Sequence, residues 1–154
     1  MTKLAFKFVL PITILCFATM TKWWFALPTD ASGTYFIGFP FPYACNGWHT
    51  SMSIQFFILE LLVDFLVYYL FWFLVIYLVQ KIFKPLVIGR IFSFVLIGLS
   101  IIVLGLAAFI MSNKDNLFYF KRPFEMGIFE TGYKFMWQKD KQVNAEYYQF
   151  KKRN

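Results

Sequence analysis

One run, Ile54 to Val79, constrains this chain more than any other feature. It reads IQFFILELLVDFLVYYLFWFLVIYLV and carries two charges, Glu60 and Asp64. About 20 apolar residues in a helix cross a hydrocarbon core roughly 30 Å thick, so a helix over this run has length to spare. The two acids are four residues apart, which puts both on one helical stripe with Ser53 and Phe56 before them and Val67 and Phe71 after. With the hydrocarbon boundary at Ile54, Glu60 lies about 9 Å deep and Asp64 about 15 Å deep, near the midplane. A central acid costs about 2.5–3.5 kcal/mol on insertion scales, so the pair is expected to face protein, water or another subunit rather than lipid.

Composition agrees. The chain is 60% hydrophobic and only 15% charged, more apolar surface than a soluble domain of 154 residues can hide. The net charge of +7 gathers at the ends of apolar runs and in the C-terminal segment, the pattern of a protein meeting anionic head groups. No Lys/Arg stripe lies on a soluble helix, which argues against nucleic acid as a partner. Cys16 and Cys45 make no disulfide framework.

Met1 to Thr21 opens with Lys3 and Lys7, runs through an apolar stretch and stops at Lys22. It has the form of a signal segment without a good cleavage site and reads as an uncleaved signal anchor, with Trp23 and Trp24 at the interface. Residues 28–53 read as a loop, because Pro28, Pro40 and Pro42 interrupt any helix and Gly33, Gly38 and Gly47 punctuate it. Phe39, Phe41 and Tyr43 within GFPFPY are expected in an aromatic interface belt, the alternative being a binding loop. Pro85 breaks the chain after the central run, and residues 86–111 read as a third span. There Ser93, Ser100 and Ala107 recur every seven residues, as do Gly98 and Gly105, giving small-residue stripes on which another helix can pack. Residues 112–154 are basic but rich in aromatics, unlike a disordered tail. A short strand is expected near 117–120 and an amphipathic helix over 133–151.

The expected fold is therefore an all-α membrane protein with three transmembrane helices. These are a short N-terminal signal anchor (about 4–24) and a helical hairpin (about 54–79 and 86–111). An aromatic layer of loop 28–53 and tail 112–154 lies on one side. Counting Lys3, Lys7, Lys81, Lys84 and Arg90 against Lys22, Lys114, Lys121 and Arg122 places the N-terminus in the cytoplasm, in a bacterial inner membrane.

Enzyme chemistry finds little support. His49 is the one histidine. Its four-residue spacing from Cys45 supplies two ligands where structural zinc wants four, so no metal and no cofactor are expected. No phosphate-binding glycine loop and no nucleophile elbow occur, and Glu60 and Asp64 lack an evident catalytic partner. Three readings of the pair stay open. It is satisfied inside the protein, with Lys22, Thr13, Thr19 or Ser100 contributing; it pairs with a residue of another membrane subunit; or it carries protons or cations. The expected function is a non-catalytic accessory or scaffold subunit of a larger membrane complex, with lipid and other membrane subunits as partners. The alternative is a proton- or cation-conducting component.

Overall fold

The computed structural model describes residues 5–28, 32–48, 50, 52–82, 89–135 and 137–138. Its centre is a six-stranded mixed sheet, which overturns the all-α expectation. A π-helical turn, Ala5–Val9, leads into α1 (Leu10–Thr19). The strands β1 (Met20–Pro28), β2 (Thr34–Ile37), β3 (Ala44–Asn46) and β4 (Ile54–Phe57) follow. Then come the long helices α2 (Ile58–Ile82) and α3 (Arg90–Met111), and last β5 (Leu117–Tyr119) and β6 (Met126–Phe135). In space the order is β5-β4-β3-β2-β1-β6, antiparallel throughout except where β4 pairs parallel with β5.

Apart from β5, which falls where a short strand was expected near 117–120, the strands take residues that the hydrophobic reading assigned to spans, loop or tail. The expected first span is helical only to Thr19, after which MTKWWFALP turns extended. Thr, Trp and Phe fit a pleated, half-buried surface better than a helix. β1 then pairs along its whole length with β6, where the tail was expected to begin a helix. The central run likewise starts as β4, and its helix begins only at Ile58. The expected tail helix over 133–151 lies outside the described residues beyond Gln138, as does the break at Pro85.

The sheet buries both faces. On one, Ala26, Phe36, Cys45 and Phe57 pack together under Trp24, Tyr119, Phe124 and Met126. On the other, Tyr43, Ala44 and Phe56 meet Phe17 of α1, Leu61 of α2 and Met111 of α3. That second cluster joins sheet to helices. α1 runs directly into β1 and β4 directly into α2. At the end of α3, the Asn116 side chain accepts the Ile54 N–H (2.9 Å) and donates to the Ile110 carbonyl (2.8 Å). All three helices thus meet the sheet at one end, and Ile82 of α2 and Gly89 before α3 stand at the other.

The short α1 packs on both long helices, which touch each other little. Its buried Pro11, Thr13 and Ile14 mark that contact. The expected hairpin packing of α2 on α3 is therefore replaced by α1 lying between them. α2 and α3 are long and apolar enough to cross a membrane, and only 11% and 6% of their apolar windows are buried within the chain. α1 with its π turn is about 22 Å long, short of a full crossing.

Candidate functional site

The junction between α2 and the sheet holds the two acids. Asp64 falls in the second turn of α2, about 9 Å from its start rather than near a midplane, because Ile54–Phe57 is strand. Its residue is 0% exposed, in a helix whose leucines are largely exposed. Oδ1 accepts the Phe41 N–H at 2.9 Å, and the Phe39 N–H is turned to the same carboxylate.

The sequence explains that pairing. In Phe39-Pro40-Phe41-Pro42 every second residue lacks an N–H, so only Phe39 and Phe41 can donate. Gly38 sets the turn at φ +146°, where a Cβ would run into the Phe41 carbonyl oxygen. Its N–H donates to the Lys22 carbonyl (2.9 Å), and its own carbonyl accepts the Trp24 indole N–H (2.8 Å). The Phe39–Pro40 peptide is cis. The Phe/Pro segment is thus a clamp closed on Asp64.

Aromatic rings wall the site. Phe17 stacks on Tyr43 at 5.3 Å and meets Phe65 and Tyr68 edge-on at 5.7 and 5.4 Å. The Tyr68 hydroxyl donates to the Met20 carbonyl at 3.0 Å, tying α2 to the α1–β1 joint. Tyr43 is buried beside Asp64. Burial and that nearby carboxylate raise its pKa above the usual phenol range, against the opposing contact with the Thr21 side chain. Glu60, one turn earlier in α2, accepts the Arg122 N–H at 3.3 Å. The Arg122 guanidinium turns away, to the Phe124 carbonyl at 3.1 Å. Asp64 Oδ2 and Glu60 Oε2 are both buried without a hydrogen-bond partner. Two lone carboxylate oxygens one turn apart can hold a proton or accept from a donor that reaches them.

The other expected residues are dispersed. Trp23 and Tyr43 are core residues, Trp24 caps the far-face cluster, and Phe39 packs edge-on against Tyr68 and Tyr133. Of the expected belt only Phe41 is exposed. In α3, Ser100 is buried, its hydroxyl within reach of the Leu96 (2.8 Å) and Pro11 (3.2 Å) carbonyls. Ser93 is half-buried and Ala107 exposed, while a Cβ added at Gly98 or Gly105 meets nothing within 4 Å. Of the proposed partners of the acids, Thr13 is buried with a hydroxyl lacking any partner, Thr19 bonds back to the Leu15 carbonyl, and Lys22 lies over the Trp24 ring. His49 lies outside the described residues, and among those described no three His, Cys, Asp or Glu side chains could hold a metal. Burial pushes the Cys45 thiol up to about 12.

Sequence reasoning missed Asn116 and the clamp donors. Asn116 gives no pattern signal, whereas the Pro alternation around Phe39 and Phe41 was a legible hint. No protein-family model, no curated protein and no solved structure matches the chain.

Proposed function

We propose that this chain is a membrane-embedded, non-catalytic accessory subunit, in which α2 and α3 cross the bilayer and hold the sheet at one surface. Its partner docks on α3. The observation that carries this reading is the open face of that helix, where Gly98 and Gly105 leave space against nothing in the chain. Small residues of this kind let a second helix approach closely in lipid. The exposed leucines and phenylalanines of α2 and α3 support the embedding, since soluble proteins rarely expose such continuous apolar surface. In this reading Gly89 faces the cytoplasm of a bacterium, and the sheet lies on the outer side.

The test is native purification in mild detergent followed by mass spectrometry of the intact assembly. Gly98→Leu and Gly105→Leu are expected to strip a co-purifying subunit while leaving the melting temperature unchanged. Retention of that subunit by both variants would sink the docking face.

The unpaired oxygens of Glu60 and Asp64 support a second reading, a proton- or cation-conducting component. Asp64→Asn separates the two. A conductor reconstituted in vesicles loses flux with this variant and stays assembled, whereas an accessory subunit shows no flux with either form.

A further inference from the structure

Where the helices meet the sheet, the surface carries a discontinuous ring of exposed apolar side chains that no internal contact explains. Phe120 is 75% and Trp137 70% exposed, and Phe41, Phe118, Met20 and Phe135 are each about half-exposed. Hydrogen bonds, strand pairing and ring stacking place them beside helix ends. The Phe120 carbonyl accepts the Leu59 N–H at 2.9 Å, which holds it against the first turn of α2. Phe41 is held by its bond to Asp64 in the next turn. Phe118 stacks on Phe56, immediately before α2, at 5.4 Å. On the other flank Met20 follows the last residue of α1 and pairs with Phe135, and Trp137 stacks on Phe135 at 4.7 Å.

We propose that this ring is an interfacial collar, seated in the phospholipid head-group region, that sets how deep the helices sit. The proposal rests on the membrane-spanning reading above. Its occupant is the head-group boundary of a bilayer, argued from continuity. The collar adjoins the exposed apolar faces of α2 and α3, and Lys121 stands exposed beside Phe120. Trp137 suits that boundary because its ring has an apolar body and a polar N–H, and the phenylalanines and Met20 around it bury apolar surface at the acyl edge of the same layer. The lengths are compatible. With the collar among the head groups, Glu60 and Asp64 fall at the same level under the sheet. The hydrocarbon then receives the uncharged stretch Phe65–Gln80, about 24 Å long, with Lys81 extending outward at its far end. α3 runs past this level, since Met111 packs with Phe56 at the sheet, and the stretch beside Phe65–Gln80 falls about 6 Å short of a core of roughly 30 Å, a mismatch that snorkelling and local thinning absorb. The collar differs from the belt expected from sequence: it keeps Phe41 and takes its remaining members from Met20 and the segments after α3.

Nitroxide labels test this in the full chain, reconstituted in vesicles of phosphatidylcholine and phosphatidylglycerol. Single cysteines at Phe120, Trp137, Ile101 and Ser32 are made with Cys16 and Cys45 replaced, and each variant is kept only if its melting temperature is unchanged. Accessibility to oxygen against a water-soluble nickel chelate should place Ile101 deep, Ser32 in water, and Phe120 and Trp137 between them. In the otherwise native chain, Trp137→Phe should remove part of the fluorescence quenching caused by lipids brominated near the head group. That second measurement leaves Phe120 and both cysteines untouched. Phe120 and Trp137 as wet as Ser32, with Ile101 still deep, would overturn the collar and leave the spanning reading intact. So would Phe120 and Trp137 as deep as Ile101, or quenching unchanged by Trp137→Phe. A water-accessible Ile101 would instead overturn the spanning reading, and the collar with it.

Discussion

Asp64 owes its hydrogen bond to residues more than twenty positions earlier, and single substitutions there have calculable consequences. Gly38→Ala places a methyl group against the Phe41 carbonyl at a φ that side chains avoid. The backbone strain alone is about 1–3 kcal/mol, so thermal unfolding should shift down by several degrees. Asp64→Ala leaves the half-buried Phe41 N–H without its carboxylate acceptor, at a cost of about 1–2 kcal/mol, whereas Asp64→Asn keeps an acceptor and should lose less. Equal losses in the two variants would show that the clamp bond contributes nothing. Cys45 offers a pH test. Its thiol is raised from 9.0 to about 12 by burial, so the neutral form is the one the fold favours. That stabilisation is complete below pH 9, and is lost as pH rises from there through about 12. In a Cys16→Ser background, Cys45 should therefore resist maleimide at pH 8 and react at once in denaturant, read by mass spectrometry. Ready alkylation of the folded chain would contradict its burial.

At the level of elements, the two long helices were legible and most of the sheet was not. Ile58–Ile82 and Arg90–Met111 largely coincide with the runs 54–79 and 86–111, whose length and scarcity of charge fit a helix in lipid. The same hydrophobicity hid the strands, because Trp23, Trp24 and Phe25 are as apolar at a membrane interface as in a sheet core. Nothing local distinguishes the two. What decides is pairing with β6, more than a hundred residues away, and single-sequence periodicity carries no information about that partner. The short β5 was legible, since LFY is bounded by turn residues. The acids were legible as a pair sharing a stripe, but their depth was not, because it depended on where helix gives way to strand. One pairing can be tested directly. Gly132 lies opposite Trp23 across β1 and β6, and a Cβ there would stand 2.7 Å from the indole nitrogen. Gly132→Val should push the buried Trp23 off its site and destabilise the fold by about 1–3 kcal/mol, the usual cost of overpacking. Gly98→Leu, facing open space, should not. If the two variants melt alike, the β1–β6 register is wrong.

For the whole molecule, the geometry makes a statement about sides. α1 ends at the sheet, α2 begins there and α3 ends there, so Ile82 is separated from the sheet by the full length of α2, about 37 Å. That exceeds a hydrocarbon core of roughly 30 Å. If α2 and α3 cross a bilayer, Ser32 and Gln138 stand on one side and Gly89 on the other. Cysteines introduced at the three positions, in a chain without Cys16 and Cys45, should show it with a membrane-impermeant thiol reagent applied to intact cells and to inverted vesicles. Ser32 and Gln138 should label together, and Gly89 only from the opposite face. In the orientation proposed above Ser32 and Gln138 lie outside, and intact cells should then label these two. Reversal of all three would change the orientation and leave the architecture standing. Labelling of Gly89 from the same face as Ser32 would mean that α2 and α3 lie along the surface or turn back within it. The open face at Gly98 and Gly105 would then no longer be presented to a transmembrane partner.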